Sequence, residues 1–215
     1  MIITKIDYIN LLPFHIFLKN RAGLLIAKSA IRYKKSFPSS INKEFLTRRA
    51  NLAFISSIAS SRSKKTNVGI VAKKDVRSVI ALPGEYKSDG ESASSNVLAR
   101  ILKINGQILI GDKALKVALR TSDYIDLVKV WHERYNLPFV FAVLCYNKEF
   151  RLSKRIARDF VAKKIKIPQT VLDEYARTRQ IGKNDILDYL TKISYTIGTK
   201  ERLGYKKFLD LAKHI

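Results

Sequence analysis

Apolar positions along the chain fall into short runs broken by polar turns, strand-like in the first two thirds and helical in the last. Residues 2–9 alternate well enough for a first strand. Asn10-Leu11-Leu12-Pro13 interrupts it before a short helix or turn over 14–18, and residues 24–31 form a second apolar run that reads as a strand. Ser39 and Ser40 stand where they can cap a helix over 41–49. Residues 52–55 are a short apolar strand that ends directly on Ser56-Ser57, and 68–72 and 78–82 are further strands separated by a charged stretch over 73–77. The segment 83–95, with Pro83, Gly84 and Gly90, reads as loop. A helix over 96–103 and a strand over 107–110 follow, the strand ending at Gly111-Asp112. Residues 124–135 have helical spacing, and the almost wholly apolar run 138–146 predicts a buried strand. Helices over 152–164, 169–179, 183–195 and 199–215 complete the chain. Strands followed by helices imply an α/β fold with a mostly parallel sheet.

Length and composition narrow this picture. At 215 residues there is room for one domain or two small ones. A 47% hydrophobic content excludes disorder for most of the chain. One cysteine excludes a disulfide framework and any cysteine-based zinc cluster, and three histidines leave little for a metal site. Lys5 and Asp7 interrupt what a secretory signal needs as an apolar run, and no stretch approaches the roughly 20 apolar residues of a membrane span. Cys145 lies in an apolar run, and a lone buried thiol suits a reducing interior. The expectation is a cytoplasmic protein with no membrane partner.

The charge is the unusual quantity: 41 Lys and Arg against 18 Asp and Glu, a formal net charge of +23. It suggests an anionic partner, although a solvated basic surface explains it equally. The basic residues come as scattered pairs such as Lys34-Lys35, Arg48-Arg49 and Lys163-Lys164, with no basic tail, zinc-finger spacing or aromatic nucleic-acid-binding strand. Nucleic acid therefore has no motif behind it, and a small anion is the better expectation.

In α/β folds ligands bind beyond the carboxyl ends of strands. Four segments there carry neutral donors: Tyr8-Ile9-Asn10, Ser56-Ser57, Ser78, and Ser94-Ser95 ahead of a helix. The last can offer hydroxyls and free backbone N–H groups to a carboxylate. Each has a plainer reading, since a Ser-Ser pair is more often a cap or turn than a ligand site. The chain shows no metal cluster, no Ser-His-Asp order, no glycine-rich phosphate loop and no close pair of carboxylates.

Together these segments resemble the chorismate dehydratase family of menaquinone biosynthesis. The resemblance rests on Ile6-Asp7-Tyr8-Ile9-Asn10 with Pro13, on Leu52-Ala53-Phe54-Ile55-Ser56-Ser57-Ile58, on Val76-Arg77-Ser78-Val79, and on residues 92–98. Its most specific stretches are Ile110-Gly111-Asp112-Lys113-Ala114-Leu115, Asp126-Leu127 through Trp131, and Leu137-Pro138-Phe139-Val140-Phe141-Ala142; Tyr195 with Gly198 also fits. The resemblance implies a two-lobed fold like the type II periplasmic binding proteins, with a cleft between the lobes. Lobe one would comprise 1–84 and 146–215, and a trimmed lobe two 85–145. On those borders lobe one carries +22 and lobe two +1. Two departures from the family stand out. The chain is short, with only about a dozen residues between Ser95 and Gln107, and Asn51 stands where the family commonly has Asp.

The implied reaction is a dehydration by a carbon–oxygen lyase: water leaves chorismate and 3-[(1-carboxyvinyl)oxy]benzoate forms. Aromatisation drives it, so positioning and proton transfer are what the site supplies, and no cofactor or metal is needed. The resemblance implies catalytic roles for Asn10 and Ser78. It implies substrate contacts from Ser56, Ser57, Ser94, Ser95 and Asn96, and from Phe139 against the ring. Asp112 reads as a structural hydrogen-bonder at a strand end, His132 as a surface residue, and His15 as the outside candidate for a base. With no evident protein base, a substrate carboxylate can take the ring proton. The rival readings are a non-catalytic small-anion-binding protein of the same fold, a sibling enzyme of the same pathway, and a nucleic-acid-binding protein.

Overall fold

Leu52-Ala53-Phe54-Ile55-Ser56 has no polar face, and the strand it forms, β3 (Leu52–Ser56), is buried along its whole length. A strand of this kind needs neighbours on both edges and cover on both faces. In the computed structural model, which describes residues 1–24, 32–35 and 38–215, it sits inside a six-stranded sheet ordered β2-β1-β3-β8-β4-β9. The members are β1 (Ile2–Lys5), β2 (Arg32–Lys35), β3, β4 (Lys65–Ala72), β8 (Phe139–Tyr146) and β9 (Ile193–Thr196). A second, three-stranded sheet is ordered β6-β5-β7, from β5 (Val79–Leu82), β6 (Gln107–Ile110) and β7 (Ile125–Asp126).

The expected mostly parallel sheet is corrected. β1 pairs in parallel with β2 and β3, but β3–β8, β8–β4 and β4–β9 are antiparallel, as is the whole smaller sheet. A buried apolar run shows that a strand is covered on both faces and says nothing of its direction. The predicted helix over 183–195 is also divided: α8 (Lys183–Thr191) ends, and Ile193–Thr196 adds β9 to the edge of the large sheet. In the helical run 124–135 a two-residue strand precedes α5 (Leu127–Tyr135), and Gly111 opens a helix, α4 (Gly111–Ala118), that the pattern did not indicate. The first helix runs longer than expected, as α1 (Leu12–Leu24). The second, α2 (Pro38–Leu46), starts on proline, which suits the first helical turn. Residues 25–31 of the second apolar run lie outside the described residues.

The remaining helices are α3 (Ala93–Leu102), α6 (Phe150–Val161), α7 (Gln169–Arg179) and α9 (Thr199–Ala212). Trp131 of α5, Phe139 of β8 and Phe208 of α9 join in the core, their rings edge to face at 5.5 Å and 4.9 Å. That geometry adds roughly 0.5–1.5 kcal/mol per pair to simple burial. Gly204 permits this approach, because a Cβ there would stand 2.1 Å from the Pro138 carbonyl oxygen.

The chain passes from the large sheet to the small one between Ala72 and Val79, and returns between Asp126 and Phe139. Asp126 ties the two passages together. One carboxylate oxygen accepts Val76 N–H and Arg77 N–H at 2.8 and 2.7 Å, and the other accepts Val128 N–H and Lys129 N–H at 2.9 and 3.1 Å. A single buried carboxylate thus caps α5 and pins the outgoing crossover, where Arg77 is left-handed at φ 57.

Candidate active site

Between the two sheets, at the carboxyl ends of β1 and β3, lies a cavity. Its polar lining comes from Tyr8, Asn10, Ser56, Ser78, Ser92 and Ser95, and its apolar walls include Ile6, Phe54, Ile110 and Phe141. Among the described residues no Asp, Glu, Lys, Arg or His lines it. Charge in a ligand here meets neutral donors and backbone dipoles.

Of the expected residues, Asn10, Ser56, Ser78 and Ser95 line this cavity, and Ser94 and Asn96 turn away from it. Asn10 sits in a 3-10 turn (Ile9–Leu11) directly after β1, and its Oδ1 is buried without a partner among the described residues. Ser56 ends β3, where Asn42 fixes it twice: Nδ2 donates to its Oγ at 2.9 Å, and Oδ1 accepts its backbone N–H at 3.1 Å. Ser78 precedes β5, and Ser95 stands in the first turn of α3 behind the N-cap Ser92, whose Oγ accepts Ser95 N–H and donates to Ser95 Oγ. The helix N-terminus thereby faces the cavity with its partial positive charge. Ser94 points elsewhere, its Oγ accepting Ile58 N–H at 3.2 Å. Asn96 clamps the preceding loop, its amide bonding both N–H and C=O of Asp89.

Two further expected residues lie behind the cavity wall. Ser57 is fully buried and donates to the Val140 carbonyl. Phe139 is in the Trp131–Phe208 cluster, and Phe141 takes the place at the cavity. The reason is a bulge. Ile70 pairs with Ala142 and Val71 with Val140, leaving Phe141 as the extra residue of β8. A bulge re-aims the side chain it carries.

Tyr189 of α8 stands behind Ser78 and Asn10. Its hydroxyl donates to Ser78 Oγ at 2.9 Å. Burial pushes the Tyr189 phenol up, while hydrogen bonding with the side chains of Ser78 and Asn10 pulls it back. Tyr195 of β9 donates to the Asn10 carbonyl at 2.6 Å. Tyr189 carried no signal in the sequence, and Tyr195 entered only through the family resemblance; both fell inside one expected helical run. Ser92 lay in a stretch that carries the resemblance, yet the reading favoured its neighbours.

A charged network holds the entrance loop from outside the cavity. Asp112 of α4 accepts Ile9 N–H at 3.0 Å and Arg179 Nε at 2.8 Å, the structural role expected of it. Arg179 also pairs with Asp7 at 3.2 Å and stacks on Tyr175, whose hydroxyl donates to Asp7 at 2.8 Å. One guanidinium thus links the loop after β1 to the first turn of α4 across the cleft. Tyr8 adds a second link, its hydroxyl donating to Glu91, and burial with that contact pushes the phenol up. The Tyr8 ring lies on Gly111, which is left-handed at φ 65; a Cβ there would stand 2.9 Å from the ring. Asn51, where a carboxylate was expected, accepts Ile2 N–H at 2.7 Å at the start of β1. His15 is held neutral: burial, then Lys5, lower it to about 3, against a smaller opposing pull from Asp7. Among the described residues no group of three His, Cys, Asp or Glu is placed to hold a metal ion.

Two unequal sheets with a cavity between them, lined by neutral hydroxyl and amide groups, define a binding-protein-like α/β fold. Comparison with solved structures agrees on the fold. A protein of Archaeoglobus fulgidus, AF1704, superposes with a TM-score of 0.70 at 12% identity, covering 99% of this chain and 96% of that one. The periplasmic aliphatic sulphonate binding protein SsuA of Escherichia coli gives 0.64 at 12% identity, covering 100% and 86%. The menaquinone biosynthesis family matches residues 95–214. A chorismate dehydratase of Campylobacter jejuni is 45% identical over 218 aligned residues, 99% of this chain and 98% of its own. The chain belongs to the chorismate dehydratase family of menaquinone biosynthesis.

Proposed function

We propose that this protein is a chorismate dehydratase, a hydro-lyase that removes water from chorismate to give 3-[(1-carboxyvinyl)oxy]benzoate. The observation that carries the reading is full-length 45% identity to a chorismate dehydratase, together with a cavity whose polar groups can do this chemistry. The substrate is a small dianion. Ser92, Ser95 and the N-terminus of α3 receive one carboxylate. The ring lies against Phe54 and Phe141.

At the reacting edge, the C–H bond on the ether-bearing carbon breaks and its electron pair enters the ring. The neighbouring C–O bond breaks, and the hydroxyl leaves with a proton as water. Ser78, receiving a hydrogen bond from Tyr189, keeps its own hydrogen free to donate to the departing hydroxyl. Asn10 Oδ1 accepts from the same edge and fixes the ring. Among the described residues no lining side chain is a base, so one of the substrate's own carboxylates takes the ring proton and passes it to the departing hydroxyl, which leaves as water. Holding both steps in one geometry is the larger contribution, since the product is aromatic.

We place the two lobes around the two sheets. Their crossovers at 73–78 and 127–138 favour borders earlier in the chain than the 84/85 and 145/146 drawn from the sequence. The proposed location is the cytoplasm. Cys145 supports it: burial pushes its thiol up to about 12, so it stays neutral and unreactive. Among the described residues no helix is long and apolar enough to cross a membrane. Incubation of the purified protein with chorismate tests the activity. Stoichiometric appearance of the aromatic product by absorbance and mass is expected, and recovery of unchanged chorismate from folded protein would refute it.

A further inference from the structure

Basic residues from three separate parts of the sequence come together on one face. Helix α6 carries Arg151, Lys154, Arg155 and Arg158 at i, i+3, i+4 and i+7, all exposed, while Ser153, Ile156, Ala157 and Phe160 are buried on its other face. Like charges at i and i+4 cost a few tenths of a kcal/mol per pair. The stripe forms one wall of a groove whose other walls bring Lys65 from β4 and Arg202 from α9. Among the described residues no acidic side chain lines the groove. Arg151, Arg155 and Arg202 have no acidic partner among the described residues, and Lys65 donates to the carbonyls of Ser60 and Ser61. Arg158 donates to Asp159 at 3.3 Å, a carboxylate it shares with Arg21. Two aromatic rings stand among these cations: Phe150, 51% exposed and beside Lys154, and Tyr205 beside Lys65. The groove is on the far side of β8 from the catalytic cavity's lining, so substrate binding does not explain it.

We propose that this groove binds single-stranded nucleic acid, its cations tracking the phosphates and its two rings stacking bases. The cations come from α6, β4 and α9 around a groove rather than from one flat face, which suits a narrow strand better than a bilayer. The cations sit on exposed, flexible side chains with no glycine-rich loop, which is a poor site for one small nucleotide. A polymer, by contrast, gains from counterion release at every contact. Interleaved cations and aromatic rings in a groove are the usual means of holding a single strand without reading its sequence.

The test is fluorescence anisotropy with a labelled oligouridylate of about twelve nucleotides, titrated at several salt concentrations, alongside chorismate turnover. Wild type should bind with an affinity that falls linearly in log salt. Arg151→Glu with Arg155→Glu should weaken binding more than about tenfold and flatten the slope. Lys73→Glu with Lys74→Glu reverses the same charge beyond the other end of β4, about 25 Å away, and should weaken it less than about threefold. Phe150→Ala should weaken it severalfold and leave the slope unchanged. Turnover should be unchanged in all three, so the result is independent of the catalytic reading. Equal loss in both charge-reversal variants would mean diffuse charge and overturn the site. Equal competition by polyglutamate, by a duplex of the same length or by anionic vesicles would overturn the choice of a single strand.

Discussion

Tyr189 Oη lies 2.9 Å from Ser78 Oγ, linking a helix near the carboxyl end of the chain to the first residue before the smaller sheet. The bond assigns polarity. By donating to Ser78, the phenol leaves the serine hydrogen free for the cavity, while Asn10 Oδ1 remains an acceptor. One donor and one acceptor at the same edge are what removal of water requires. Tyr189→Phe keeps the ring and its packing and deletes the bond. Turnover should fall about tenfold, a cost of about 1.4 kcal/mol, with KM nearly unchanged. Thermal unfolding should show only the loss of one buried hydrogen bond, about 1–3 kcal/mol. An unchanged kcat would show that Ser78 needs no such partner.

Gly111 is the contact surface for Tyr8 and adopts a left-handed conformation at φ 65. Gly111→Ala incurs backbone strain of about 1 kcal/mol and pushes the Tyr8 ring away from Glu91. Lower stability in urea and a raised KM for chorismate are the expected results. Tyr8→Ala in the same background should relieve the steric part and recover some stability, which a purely local backbone effect would not permit.

His15 gives the fold a pH dependence of defined sign. Its folded-state value is lowered to about 3, against about 6.5 when unfolded. Between those values the unfolded chain binds the extra proton, so stability is lost as pH falls from about 6.5 toward 3 and is unaffected above. From pH 7 to pH 5 this one group contributes a loss of about 2 kcal/mol. Urea unfolding at both values should show a smaller loss in His15→Gln than in wild type. Equal losses would place His15 in a wetter setting than its burial indicates.

Much of the fold was legible because burial leaves a one-dimensional trace. The run 138–146 has no polar face and became β8, and the spacing of 169–179 became α7 residue for residue. Strand direction left no such trace, so the mixed sheet was not foreseen. β9 was hidden because Ile193-Ser194-Tyr195-Thr196 continues a helical apolar spacing until the edge of β4 claims it. At the site, Asn10, Ser56, Ser78 and Ser95 were readable as neutral donors at strand ends. Ser57, Ser94 and Asn96 belong to the same segments, and only the direction of each side chain separates them. Phe141 depended on a bulge, and Tyr189 on a contact 111 residues away in sequence. The basic groove was invisible for the same reason, since α6, β4 and α9 supply its walls from separate parts of the chain.

The central claim is that a cavity without a charged side chain dehydrates chorismate through Asn10 and Ser78. The most direct measurement is the turnover of chorismate by wild type, Asn10→Ala and Ser78→Ala, each checked for native stability. The account predicts that the aromatic product forms with wild type and that each variant is slower by about a hundredfold, or about 2.7 kcal/mol. Wild-type rates in both variants would contradict it.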